Sequence, residues 1–301
     1  MLQKLYLLFI VFVFIPNVVH ADDNSIDNNS DDIELYLDIR RIGLETSKTQ
    51  VRNAADYQDS PVQALKADSQ DFIKGVLDTA LEYRRNKFNW DNSLFMEYGK
   101  TTLKPYNEPK TTNENADKIL LSSDMSWACW KWGDFSFGPT MRAGYETEFQ
   151  ASGDAPRQNL LRGNAGLSLF DHPIIKTLYL TGVYEYDFSY SDDQVSKGGA
   201  EIGWRLEYKL REGVKFHTNG YYREYFVYSQ YLASDLERDL SAIVRMDTNL
   251  WGNFTMGPYA QYRLAKARGA DTYGSNFIIG ISLNYINKFG LIDTTIPADK
   301  Q

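Results

Sequence analysis

From Gly75 to Tyr285 apolar and polar residues alternate with a period of two, the signature of strands that carry one apolar and one polar face. Leu77, Thr79, Leu81 and Tyr83 oppose Asp78, Ala80, Glu82 and Arg84. Phe88, Trp90, Leu94, Met96 and Tyr98 then oppose Asp91, Ser93, Glu97 and Gly99. Further rows run through 119–127, 135–149, 161–169, 178–190, 200–210, 214–222, 240–250, 254–264 and 277–285. Tight turns are expected near Asn86, Lys131, His172, Glu212, Gly252 and Lys288, and longer polar loops at 101–117, 150–158, 191–197, 227–236 and 267–273. Short turns on one rim and long loops on the other are the layout of an outer-membrane barrel with both termini on the periplasmic side.

The eleven rows begin with one that runs toward the periplasm, so an exported chain needs an upward strand before it. Residues 33–46, where Leu35, Leu37 and Ile39 alternate with Glu34, Tyr36, Asp38 and Arg40, are the candidate. They bring the eleven rows to twelve, an even number as bacterial single-chain barrels have, with ten strands as the alternative. Residues 47–70 are polar and suit a loop with a short helix around 62–67. The fold class expected is all-β: a single antiparallel transmembrane β-barrel over 33–292, with short periplasmic turns and longer extracellular loops.

The phrase Trp132-Gly133-Asp134-Phe135-Ser136-Phe137-Gly138-Pro139 returns 119 residues later as Trp251-Gly252-Asn253-Phe254-Thr255-Met256-Gly257-Pro258, close to three times a 40-residue unit. Such a repeat also suggests a propeller, whose blades carry four short strands. Here each unit holds two strands of 10–13 residues, long enough to cross a bilayer at a tilt. A lipocalin-like soluble barrel would turn its apolar face inward. It would then have to house very many aromatic rings. Facing lipid, these rings form two girdles, as interfacial aromatics do. Trp90, Trp127, Trp132, Phe135, Trp251 and Phe254, with Phe88, Phe137 and Phe170, fall near the short turns. Tyr186 and Tyr190, with Tyr98, Tyr145, Phe149, Phe188 and Tyr222, fall near the long loops. Pro139 and Pro258 lack a ladder donor and should mark defects in strand pairing.

Export fits this picture. Lys4 precedes an apolar run from Leu5 to Val19, short for a spanning helix, and Val19-His20-Ala21 reads as a cleavage site, so 1–21 is expected to be a signal peptide. Residues 22–32 form an acidic leader and 293–301 a tail. Removing 1–21 changes the formal charge from −8 to −9, because the segment holds one lysine and no acid. Without a basic stripe, nucleic acid is not an expected partner. The lone Cys129 excludes an internal disulfide.

The segment Phe88-Asn89-Trp90-Asp91-Asn92-Ser93-Leu94, with Glu97-Tyr98-Gly99 and Asn115-Ala116-Asp117-Lys118-Ile119-Leu120-Leu121-Ser122-Ser123, resembles a stretch of a domain-of-unknown-function family of Gram-negative outer-membrane barrels. The resemblance covers about residues 70–150 and implies outer-membrane location and fold, with almost nothing about substrate.

With the aromatic face toward lipid, the opposite face lines the lumen. Its candidate lining and selectivity residues are Arg142, Glu146, Arg162, Glu185, Glu201, Arg205, Glu207, Lys209, Arg245, Asp247 and Arg263. Balanced signs admit two readings: a water-filled channel with a transverse field for small solutes, or a closed barrel whose charges pair across the interior. Tyr225, Phe226, Tyr228 and Tyr231 extend the aromatic pattern into a loop and could take a glycan or another surface partner, or simply continue the hairpin. A lipid hydrolase needs a nucleophile, a histidine base and an orienting group. The mature chain offers only His172, in a turn, and His217, on the inward face. No His or Cys cluster has ligand spacing, Asp192-Asp193 and Asp235 with Glu237 are weak calcium candidates, and no cofactor is expected. Outer-membrane lipid is the expected partner, and the pattern leaves oligomeric state open.

Overall fold

The structure, a computed structural model of the chain, describes residues 33–57, 60, 62–66, 71–103, 111–151, 156–170, 172–190 and 194–293. The expected signal peptide and leader lie outside these residues, as does the tail beyond Asp293. The strands are β1 (Ile33–Arg52), β2 (Asp71–Arg85), β3 (Phe88–Leu103), β4 (Thr111–Trp127), β5 (Trp130–Trp132), β6 (Phe135–Thr147), β7 (Asn159–Phe170), β8 (Ile175–Asp187), β9 (Val195–Arg211), β10 (Val214–Tyr228), β11 (Leu236–Trp251), β12 (Phe254–Ala267) and β13 (Gly274–Asp293). β1 pairs antiparallel with both β2 and β13, and β4 pairs with β6, so the sheet closes on itself. The three-residue β5 continues β4 after a break at Ala128-Cys129, which leaves twelve strands in the wall.

The alternation read from the sequence orients this wall. Leu44, Ile73, Met141, Leu180, Ile279 and Ile281 stand exposed on the outside, while Glu45, Lys74, Glu185, Glu201 and Asp239 are buried within. An apolar exterior around a charged interior is stable only in lipid, and closure satisfies every ladder without an edge. Among the described residues no helix is long and apolar enough to cross a membrane; the crossing is made by strands.

Several expectations are corrected. β1 continues to Arg52 beyond residue 46, and β3 and β4 extend through 101–103 and 111–117, so these hairpins rise above the expected rim. The turn near Lys288 does not form: β13 runs on to Asp293, because Asn287–Asp293 find partners in Ile39–Glu34 of β1. Phe170 is buried on the inward face with Ser168 and Asn164 and does not join the lipid-facing girdle.

The repeated phrase builds two equivalent corners. Gly133 and Gly252 adopt φ of 57° and 51°, a left-handed conformation that glycine reaches without strain. Gly138 and Gly257 sit where a Cβ would collide with the carbonyls of Trp127 and Met246 on the neighbouring strand. Beside Pro139, β4 pairing ends at Ser126–Thr140 and resumes only at Trp130–Phe137. Beside Pro258, the β11–β12 ladder is interrupted between Arg245–Tyr259 and Thr248–Met256. Each proline faces the gap that its missing N–H requires.

Candidate functional site: the lumen

The extracellular half of the lumen is filled from two directions. The first extracellular loop, between β1 and β2, docks on the β11–β12 end through Tyr57 and Leu65, which cluster with Leu236, Ala265 and Ala267. The Tyr57 hydroxyl shares its one proton between the carbonyls of Ala265 (2.9 Å) and Thr272 (2.8 Å), and Asn276 Nδ2 donates to Ala64 O at 2.5 Å. Its one-turn helix, Gln63–Lys66, also contacts β4. Below this loop the strands aim alternate residues inward. Glu185 accepts ion pairs from Arg162 (2.6 Å) and Lys197 (2.9 Å) and a hydrogen bond from Tyr225 (2.7 Å). Arg162 also reaches Glu146 (3.4 Å), which pairs with Lys118 (2.9 Å). Arg263 pairs with Asp239 at 2.8 Å, and Tyr221 donates to the same carboxylate at 2.9 Å. Arg223 pairs with Glu201 at 2.5 Å, and Tyr179 donates to Glu201 at 2.6 Å. On the opposite wall Lys74 lies between Glu45 (3.2 Å) and Glu97 (2.9 Å), and Arg41 pairs with Glu45 at 2.5 Å. The cavity left among these groups, lined by Val62 and Ala64 of the loop as well as by the strands, measures about 70 Å³, room for roughly five waters. Above it, in the loop before β11, burial raises the Asp235 carboxyl above its ordinary range, against the opposing attraction of Lys197.

The periplasmic half is different. Arg40 pairs with Glu82 (3.1 Å) and Asp91 (3.4 Å), Lys288 reaches Glu82 (2.7 Å), and Arg142 pairs with Asp124. Arg245 and His217 both approach Asp247, at 2.7 and 3.3 Å. Lys215 meets Glu207 at 3.4 Å, and Lys209 is exposed near the short-turn rim. Arg205 is exposed and, among the described residues, has no carboxylate within ion-pair distance. It feels Arg40, Asp78, Glu82 and Asp38 across the lumen.

All eleven sequence-selected lining residues therefore stand on the inward side of their strands or at its periplasmic mouth, divided between these two environments. The sequence reading missed Arg40, Arg41, Glu45, Lys74 and the inward tyrosines 179, 221 and 259. Alternation puts Arg40 on the polar face with Asp38, and the bulge between Ile39 and Arg41 turns Arg41 inward as well, which strict alternation cannot anticipate. Tyr225, taken as a surface residue, is buried beside Glu185. Its odd parity with Arg223 carried that signal. Phe226 and Tyr231 are exposed, and Tyr228 and Tyr231 flank the Arg268 guanidinium at 4.0 and 4.5 Å.

At the short-turn rim Trp127 and Trp251 are exposed, Phe254 packs between Trp251 and Tyr285, and Phe135 stacks on His172. Trp90 donates to Ser123 at 2.8 Å. Tyr190 is exposed and Tyr186 donates to Gln194 at the other rim. The Trp132 side chain lies outside what the structure describes, although its backbone pairs with Phe135.

Residues 68–151 match a family model described as Protein of unknown function (DUF3078). No curated protein matches the chain. Among solved structures, the chain is similar to the outer membrane channel DcaP of Acinetobacter baumannii, at 8% identity over 85% of this chain and 97% of that one, TM-score 0.44. It is similar to outer membrane phospholipase A from Escherichia coli, at 12% identity over 82% and 93%, TM-score 0.44. It is also similar to the translocator domain of the autotransporter NalP from Neisseria meningitidis, at 10% identity over 86% and 90%, TM-score 0.34. The closed twelve-stranded wall, its apolar exterior and its charged interior define a β-barrel of the outer-membrane type, with a wall built to face lipid.

Proposed function

We propose that the protein is a restrictive, porin-like channel for small ionic solutes, with a hydrated periplasmic vestibule and a narrow extracellular constriction formed by the first loop and the ion-pair network. The observation that carries this reading is Arg205: a lumenal cation, exposed and, among the described residues, without an ion-pair partner, opposite the carboxylates of Asp38, Asp78 and Glu82 and the Arg40 that pairs with two of them. Opposed charges at one level of a wet lumen make a transverse field that sorts ions by sign and size. The small cavity above predicts low conductance.

Single-channel recording of refolded protein in planar bilayers tests it. The expected result is small, discrete steps, with Arg205→Ser moving the reversal potential toward cation preference. Correctly folded, inserted protein that never conducts would overturn the channel and leave a closed barrel, the reading favoured by the dense pairing around Glu185. A lipid-hydrolase role has less support: His217 faces the lumen beside Asp247, and His172 accepts backbone hydrogen bonds from Ile174 and Ile175 at 3.2 Å within its turn.

A further inference from the structure

The outer wall is not uniformly convex. At the short-turn rim, the ends of β2, β3 and β4 border an open groove of about 700 Å³ lined by Tyr83, Phe88, Trp90, Met125 and Trp127, with Arg85, Asn86 and Lys87 along its edge. Register makes it one continuous outward patch. Tyr83 pairs with Trp90, Arg85 with Phe88, Phe88 with Trp127, and Trp90 with Met125. The rings are held edge to face: Tyr83 against Phe88 at 6.5 Å, and Phe88 against Trp127 at 5.8 Å. Ala128 N donates to Lys87 O at 2.8 Å, tying the β2–β3 turn to the point where β4 breaks.

We infer that this groove binds one glycerophospholipid of the periplasmic leaflet, preferring an anionic headgroup. Depth and charge select the occupant. The short turns lie on the periplasmic side, so the groove meets the leaflet built of glycerophospholipid. An acyl chain would lie on Met125, Phe88 and Trp127, while the phosphate would lie at the level of Lys87 and Arg85, both exposed just past the rings. Aromatic bodies below and cations above match the division between acyl chain and headgroup at a membrane interface. Lys87 and Arg85 should each enrich an anionic lipid roughly fivefold, the factor expected for a single basic side chain near an anionic surface. The site is independent of whether the lumen conducts.

Tryptophan quenching in phosphatidylcholine nanodiscs tests the inference, with phosphatidylglycerol or phosphatidylcholine carrying brominated acyl chains added at the same minor mole fraction. Wild-type protein should be quenched more strongly by the brominated phosphatidylglycerol. Trp127→Phe should remove most of that difference, and Arg85→Glu with Lys87→Glu should abolish it. Lys131→Glu, at the next turn and outside the groove, should leave it intact. Arg85→Gln with Lys87→Gln provides a milder pair if charge reversal blocks folding, and heat-dependent gel migration verifies the fold of each variant. Equal quenching of the wild type by both lipids would overturn the site, as would a difference that survives Trp127→Phe or falls equally in Lys131→Glu.

Discussion

The two halves of the lumen are built from the same residue types and the same alternation, yet they place charge in different surroundings. Around Glu185, side-chain exposure is 3% for Glu185 and 6% for Lys197. Around Arg142 and Lys288, on the periplasmic side, it reaches 37% and 41%. Above, Glu45, Glu185 and Asp239 each meet two cations out of water; below, Glu82 and Asp247 are just as buried, but Arg142, Lys215 and Lys288 are open to solvent and, among the described residues, Arg205 has no ion-pair partner. Buried pairs resist the loss of one member because the other is left charged and dry, whereas exposed pairs are easily replaced by water. In the proposed channel the upper network would be scaffold and constriction, and the lower charges would face the passing ion.

The sharpest way to break that contrast is to remove one buried carboxylate. Glu185→Ala removes the carboxylate shared by Arg162 and Lys197, leaving them the longer contacts to Glu146 (3.4 Å) and Asp235 (3.7 Å), and should cost about 3 kcal/mol, read as a lower urea midpoint for unfolding from detergent or lipid. A cost below about 1 kcal/mol would mean that the upper half is hydrated like the lower.

The constriction comes next. Tyr57→Ala removes the loop's buried ring and the hydroxyl that holds the Ala265 and Thr272 carbonyls, and a variant of this kind costs about 3–5 kcal/mol where the ring is fully enclosed. In a strand wall that stays closed, the cost should fall on loop docking. The expected readout is larger and noisier single-channel steps with heat-modifiable migration retained. Unchanged conductance would show that the loop does not narrow the path.

Selectivity should respond to a smaller change. Arg205→Ser is expected to shift the reversal potential toward cation preference while leaving the unfolding midpoint within about 0.5 kcal/mol of wild type, because no ion pair is broken. Arg245→Ser should shift it less, since Arg245 is already neutralised by Asp247 at 2.7 Å. The reverse order would place the narrowest level nearer the periplasm than Arg205.

The smallest effect is expected from Asp124→Asn. Its partner Arg142 remains solvated, and the stability change should stay below about 1 kcal/mol by the same urea measurement. A loss comparable to that of Glu185→Ala would erase the difference between the halves.

Much of the architecture is legible in the chain because a barrel wall must alternate. A residue two positions along a strand returns to the same face, so Ile202, Trp204, Leu206 and Tyr208 declare the lipid side and Glu201, Arg205 and Glu207 the lumen. Export and parity together supplied β1, whose local pattern was weak. The repeated phrase marked two corners, and its prolines announced the ladder gaps now seen beside Pro139 and Pro258. Legibility ends where alternation slips or where distant segments meet. The bulge at Arg40 puts adjacent arginines inside, and the Lys288 region reads as a turn until β1 is available to pair with it. Aromatic identity was a poor guide at Tyr225 and Phe170, because tyrosine hydroxyls can satisfy buried carboxylates and a phenyl ring can fill the lumen as readily as it can face lipid.

By itself the sequence determined the membrane-facing and lumen-facing sides, the alternation of short turns and long loops and the number of strands, since each follows from local periodicity and the requirement of closure. Only the tertiary structure decided which charges are paired. Glu185 meets Lys197 and Tyr225 because β8, β9 and β10 are neighbours in one register, and Tyr57 meets Ala265 because a loop near the start of the wall folds onto its last hairpin. Such contacts depend on position around a closed circumference, a quantity that no stretch of the chain encodes alone.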